Sequence, residues 1–174
     1  MGTTANYSWP YPESSDFVAD GATAIENLAD AADATVGAIG ADVAEVQLVT
    51  ILQDTISLAN GTNVTPSFST EIIDAGGWHG AGSNSIVAPY DGVYLITANV
   101  VGVDSTNRAL VNIVNATTAA TLASDDNNSG GFDLSAAVHA KIDASDQIRL
   151  LLFQNSGVTK TPVVTFTMSL VRRL

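Results

Sequence analysis

Cysteine is absent from this chain of 174 residues, and positive charge is scarce, with Lys+Arg 6 against Asp+Glu 18. Without Cys there are no disulfides, no thiolate nucleophile and no Cys-type zinc site. Charged residues make up only 14% and hydrophobic ones 46%, which excludes a disordered chain. No apolar run approaches the roughly 18 residues of a membrane span, so no membrane insertion is expected. The first residues carry neither Lys nor Arg nor an apolar h-region, so no secretory signal is expected either. The length suits one soluble domain, or one domain with a stalk.

The scarce positive charge is also unevenly placed. Residues 1–107 hold acids alone, and every base (Arg108, Lys141, Arg149, Lys160, Arg172 and Arg173) follows them. With a net charge of −12 this surface repels phosphate backbones, which excludes nucleic acid as a partner. An acidic first half suits solvent or a basic protein surface.

Catalytic patterns are missing as well. There is no His-Glu-x-x-His and no Gly-x-Ser-x-Gly. The run Gly76-Gly77-Trp78-His79-Gly80-Ala81-Gly82 lacks the Lys-Ser/Thr of a phosphate loop and reads as a tight loop. His79 in that loop and His139, facing outward on a strand, form no metal-binding spacing. Asp125 to Gly130 mimics the start of a calcium loop, but Ala136 stands where the closing acid belongs, so a polar turn is expected. No pair of carboxylates is singled out for glycoside hydrolysis. We expect no enzyme, no metal and no cofactor.

Three segments are present. Residues 1–16 contain Tyr7, Trp9, Pro10, Tyr11 and Pro12. Proline biases this arm to extended geometry, and its aromatics either fold back on the chain or dock into a partner. Residues 17–46 are Ala-rich and acidic, with Asp16 or Asp20 as candidate helix caps. Val18, Ala22, Ile25, Ala29, Ala32, Val36, Ile39, Val43 and Val46 recur in steps of four and three, a heptad seam. So narrow a seam on a short helix implies self-association or docking. Gly37 and Gly40 each weaken a helix by about 1 kcal/mol relative to Ala, so a break or kink is expected there.

From residue 47 to 174 the period changes to two. Tyr94, Ile96, Ala98 and Val100 alternate with their neighbours, as do Leu134 to Ala140, Ile148 to Leu152 and Val164 to Leu170. Turn clusters at Asn60 to Asn63, Asp74 to Gly82, Pro89 to Gly92, Asp125 to Gly131, Asp143 to Asp146 and Asn155 to Gly157 divide them, which predicts an all-β sandwich or barrel. Loops 74–85, 104–107 and 125–131 are the expected contact surfaces.

Phe68 to Asp74, Ala88 to Ile96, Ala144 to Leu150 and Phe166 to Leu170 resemble the C1q/TNF-like jelly roll. In that family a Pro-x-x-Gly-x-Tyr run opens a core strand with the Tyr inside; here it is Pro89 to Tyr94. Ser145-Asp146 replaces the Gly-Asp pair usual before the penultimate long strand. The resemblance implies a mainly β chain, with an antiparallel jelly-roll sandwich behind an extended arm and a short helical stalk, and a homotrimer.

Trp9 to Glu13, followed by Asp16 to Ile25 and Leu28-Ala29, is similar to the opening of tailed-bacteriophage structural proteins, of minor tail, fibre or head-decoration type. That resemblance implies a virion surface component. Its arm would dock on capsid or tail through Tyr7, Trp9, Pro10, Tyr11 and Pro12, and its knob would be displayed. Host-surface glycan is the alternative target, for a receptor-binding tail-tip protein. A virion carbohydrate-active enzyme and a cellular C1q-like or cytokine-like module are the rival readings.

Overall fold

The computed structural model describes residues 2–3, 10–11, 21–46, 48–105, 107–128 and 131–174. It divides into two units, Met1–Glu45 and Val46–Leu174.

In the first unit, β1 (Gly2–Thr3) pairs antiparallel with β2 (Pro10–Tyr11), in the register Gly2 to Tyr11 and Thr3 to Pro10. Proline's fixed φ suits this extended geometry. Tyr7, Trp9 and Pro12 lie outside the described residues, as do Asp16, Val18 and Asp20. Helix α1 spans Gly21–Val46, and residues 17–20 of the expected helical segment lie outside the described residues. It runs through Gly37 and Gly40 without interruption, which corrects the expected break. Ala-rich flanks explain this: alanine has the highest helix propensity, and isolated glycines weaken a helix without terminating it. Within the helix Thr35 Oγ1 donates back to Ala31 O at 2.8 Å.

The second unit is the expected antiparallel sandwich. Its strands are β3 (Val49–Thr55), β4 (Glu71–Asp74), β5 (Ile86–Val87), β6 (Gly92–Ser105), β7 (Ala109–Asn115), β8 (Ala120–Asn127), β9 (Gly131–Ile142), β10 (Gln147–Gln154) and β11 (Val163–Arg173). One sheet has the order β4-β3-β11-β6-β9 and the other β5-β10-β7-β8. Alternation decides which side chains fill the space between them. Tyr94, Ile96, Ala98 and Val100 from β6 meet Val164, Phe166, Met168 and Leu170 from β11, and Val111, Ile113, Ile148 and Leu150 come from the opposite sheet. Each large apolar side chain so buried contributes roughly 1.5–3 kcal/mol of transfer free energy.

Pro89 to Tyr94 opens β6 as the resemblance implies, with Tyr94 fully buried and its hydroxyl donating to Tyr90 O at 2.8 Å. Burial pushes that phenol above its ordinary titration range. Gly92 allows two strands to approach closely, because a Cβ there would lie 2.9 Å from Arg172 O. At the departure from the family pattern, Ser145 takes φ 71°, a left-handed conformation that glycine adopts at less cost. Asp146 beside it is buried, and its Oδ2 accepts from Asn115 Nδ2 at 2.7 Å.

Asp125 to Asn127 belong to β8, which corrects the expected turn. Their acids face partners in the fold: Asp125 Oδ2 accepts from Ser135 N at 2.8 Å, and Asp126 is paired with Arg108. The strand continues because β7 pairs with it antiparallel from Ala109–Asn127 to Asn115–Ala120, with one register shift between Ile113 and Val114.

Candidate association surface

The five-stranded sheet has a second face, directed away from the core. Registers across β3, β11, β6 and β9 set its side chains in rows: Gln53, Thr165, Asn99 and Ser135; then Ile51, Thr167, Thr97 and Ala137; then Val49, Ser169, Leu95 and His139. All of these are half-buried or exposed. No Asp, Glu, Lys or Arg occurs in these rows, although the chain's net charge is −12. Charge returns only beyond them, with Asp133 at one end and Lys141 at the other.

Small neutral side chains dominate the rows, so another backbone can approach closely. Gln53 Nε2 donates to Thr165 Oγ1 at 3.1 Å, and Ser169 Oγ donates to Leu95 O at 3.5 Å, so polar atoms on the face are partly satisfied within the sheet. Such a face meets an uncharged partner without desolvating ions. Edge strand β4 sits next to β3 and exposes Ile72 and Ile73.

The expected site residues fall in different places. Along α1, Ile25 (64% exposed), Val36 (64%) and Ile39 (52%) project into solvent, and Ala29 is exposed too. Ala32 is half-buried, whereas Ala24, off the seam, is buried. The side chains of Ala22 and Val43, and of Pro10 and Tyr11 in β2, lie outside the described residues. No helix among the described residues is long and apolar enough to cross a membrane.

Loop 74–85 is less available for contact than expected, because Trp78, His79 and Ser85 are buried. Trp78 packs edge-on against Tyr94, with centroids 5.9 Å apart. Gly76 lies against the Trp78 indole, where a Cβ would collide. Asp74 organises the turn: its Oδ1 accepts from Thr50 Oγ1 at 2.6 Å and Trp78 N at 2.9 Å, and its Oδ2 from His79 N at 3.2 Å. A glycine-rich run concealed this, since its exposed positions (Gly76, Gly77, Gly80, Ala81 and Gly82) surround two inward side chains. The two histidines have different settings, because His139 is exposed on β9.

Around loops 104–107 and 125–131, Arg108 holds Asp126 in a bidentate pair, Nε to Oδ1 at 3.0 Å and the terminal NH2 nitrogen to Oδ2 at 2.7 Å. The guanidinium keeps the Asp126 carboxyl below the ordinary carboxylate range. Residues 106, 129 and 130 of these loops lie outside the described residues.

The uncharged rows had gone unrecognised in the sequence. Their signal was Thr165, Thr167 and Ser169 standing at the outward positions of a strand, where a solvated face often carries Lys or Glu.

No protein-family model and no curated protein matches the chain. Among solved structures it is similar to the globular domain of zebrafish complement 1qA protein, with TM-score 0.56 and 16% identity over 74% of this chain and 100% of that chain. It is also similar to Eiger TNF from S. frugiperda, with TM-score 0.50 and 10% identity over 73% of this chain and 94% of that one. At these identities the likeness shows the fold alone: the second unit is a C1q/TNF-like jelly roll.

Proposed function

We propose that the chain is a non-enzymatic, homotrimeric bacteriophage virion surface protein that displays a C1q-like knob. The observation that carries the reading is the set of uncharged rows on the outward face of the five-stranded sheet, in a chain of net charge −12. Its occupant is a further copy of this chain. Identical copies repel through their acids, and association is least opposed where those acids are missing. The exposed Ile25, Val36 and Ile39 of α1 support the same reading, because their four–three spacing suits parallel copies of the helix.

The virion role rests on the Trp9 to Leu28 resemblance and on the aromatic arm. Tyr7, Trp9 and Tyr11 are anchors suited to a capsid or tail protein, and the acids of the first 107 residues suit a basic groove there. The knob then serves attachment to the host surface or stabilisation of the particle.

The test is the native mass of the purified full-length chain by light scattering on a sizing column, with quantitation of the chain in purified particles. A mass near three protomers and a fixed copy number in particles are expected. A clean monomer overturns the trimer, and absence from particles overturns the virion role. A handful of copies points to a tail-tip position, and many tens to head decoration.

A further inference from the structure

His79 is buried to 0% side-chain exposure, and both of its ring nitrogens face acceptors. Nδ1 lies 2.8 Å from Glu71 Oε1, and Nε2 lies 3.1 Å from Ser83 O. A backbone carbonyl has no proton to give, so Nε2 must be the donor there. An ionised carboxylate likewise only accepts, so opposite one Nδ1 donates as well. Neutral imidazole carries a single N–H and satisfies one of these contacts while turning a lone pair on the other acceptor. Glu71, 31% exposed at its side chain, remains in touch with water.

We propose that His79 is a proton-operated latch. With both nitrogens protonated it closes the segment from Glu71 to Val87 over the sandwich, and loss of one proton releases that segment. This inference is independent of the trimeric virion reading.

The surroundings tie the ring to the cap. Among the described residues, the carboxylates facing His79 come from β4: Glu71 on the ring, and Asp74 on the backbone N–H. The segment before β4 contributes Phe68, which packs edge-on against the imidazole at 6.5 Å between centroids. The loop contributes Ser83 O, and β5 contributes the backbone bridge from Ile86 to His79. Phe68 N also donates to Ser83 O, and Gly82 N to Phe68 O, so the carbonyl that holds Nε2 belongs to the cap itself. When Nδ1 loses its proton, its lone pair confronts the Glu71 carboxylate beside the buried ring, and the two part. Trp78, the preceding residue, then leaves its place against Tyr94. In sign, closure is present at low pH and lost as pH rises through the histidine transition.

Trp78 reports the event directly, because Trp9 is the only other tryptophan in the sequence. In the full-length Trp9→Phe protein, emission is followed from about pH 5 to about pH 9, a range that brackets an ordinary histidine. A reversible red shift on raising pH is expected. Glu71→Gln should abolish it, because a carboxamide accepts from the charged ring and donates to the neutral one. Flat emission in the parent, or an equal shift in Glu71→Gln, overturns the latch. Should Glu71→Gln fail to fold, the parent's His79 imidazole nitrogen resonances decide over the same range. Deprotonation in step with the Trp78 shift supports the latch, and deprotonation with unchanged emission overturns it.

Discussion

In the sandwich, Val164, Phe166, Met168 and Leu170 stand on one face of β11 and all are buried by the chain's own second sheet. In α1, Ile25, Val36 and Ile39 belong to one heptad seam and remain in water. Both regions carry an apolar stripe, but among the described residues only the sandwich supplies its own cover. A strand shares its hydrogen bonds with neighbours and so brings further apolar faces with it. A lone helix satisfies its backbone internally and brings no second surface. The difference teaches that the sandwich covers its own stripe, whereas the helix leaves these three side chains exposed.

The largest effect that could break this contrast comes from the core. Phe166→Ala should cost about 3–5 kcal/mol, through lost transfer energy and the cavity left beside Phe68. The two rings lie 6.0 Å apart between centroids. Urea unfolding followed by Trp78 emission measures it, and a loss under about 1 kcal/mol would mean that the core is looser than its burial indicates.

The helix should respond in another observable. Replacing Val36 and Ile39 together by Asp should lower the native mass and the helical ellipticity, with a far smaller change in the urea midpoint of the sandwich. Unchanged mass and ellipticity would remove the seam from the account and leave the sheet face alone to hold the copies together.

The smallest effect sharpens the picture of how sandwich loops are held. Asp54 Oδ2 accepts from Ser69 N at 2.9 Å and from Ser69 Oγ at 2.7 Å. Those donors, the backbone N–H foremost, hold its carboxyl below the ordinary range. A depressed folded value gives stability that is present above the unfolded value and lost as pH falls through the folded one. Wild type should therefore exceed Asp54→Asn at neutral pH, with the gap closing below about pH 4. The site is solvated, so the gap is small. A gap independent of pH would assign the effect to packing.

Legibility followed the physics of each strand. β6 and β11 bury one face and expose the other, so their period of two was plain in the sequence. β7 carries Leu110 and Val114 on its outward face as well as Val111 and Ile113 inside, which erases the alternation. β8 is an edge strand with acids at its end, and Asp125-Asp126 resembled a turn because side-chain polarity says nothing about the β7 ladder beside it. Helix α1 was visible from its spacing, but its passage through Gly37 and Gly40 depended on the alanines around them. The His79 setting was beyond reach, since Glu71, Asp74 and Ser83 converge only after the strand edges pair.

Leu48 O accepts from Leu170 N at 3.3 Å, and Leu174 N donates to Asp91 O at 2.9 Å, so the polypeptide enters and leaves the sandwich side by side. A module with adjacent entry and exit can be excised, transplanted onto a different carrier, or spliced into a host loop without stretching either junction. The opposite end is a natural insertion point for display: there the Asn155 to Gly157 turn is tied to Asn60, whose Oδ1 accepts from Gly157 N at 2.7 Å. A peptide epitope placed after Ser156 would project away from both junctions, whereas a tag fused after Leu174 would emerge beside them.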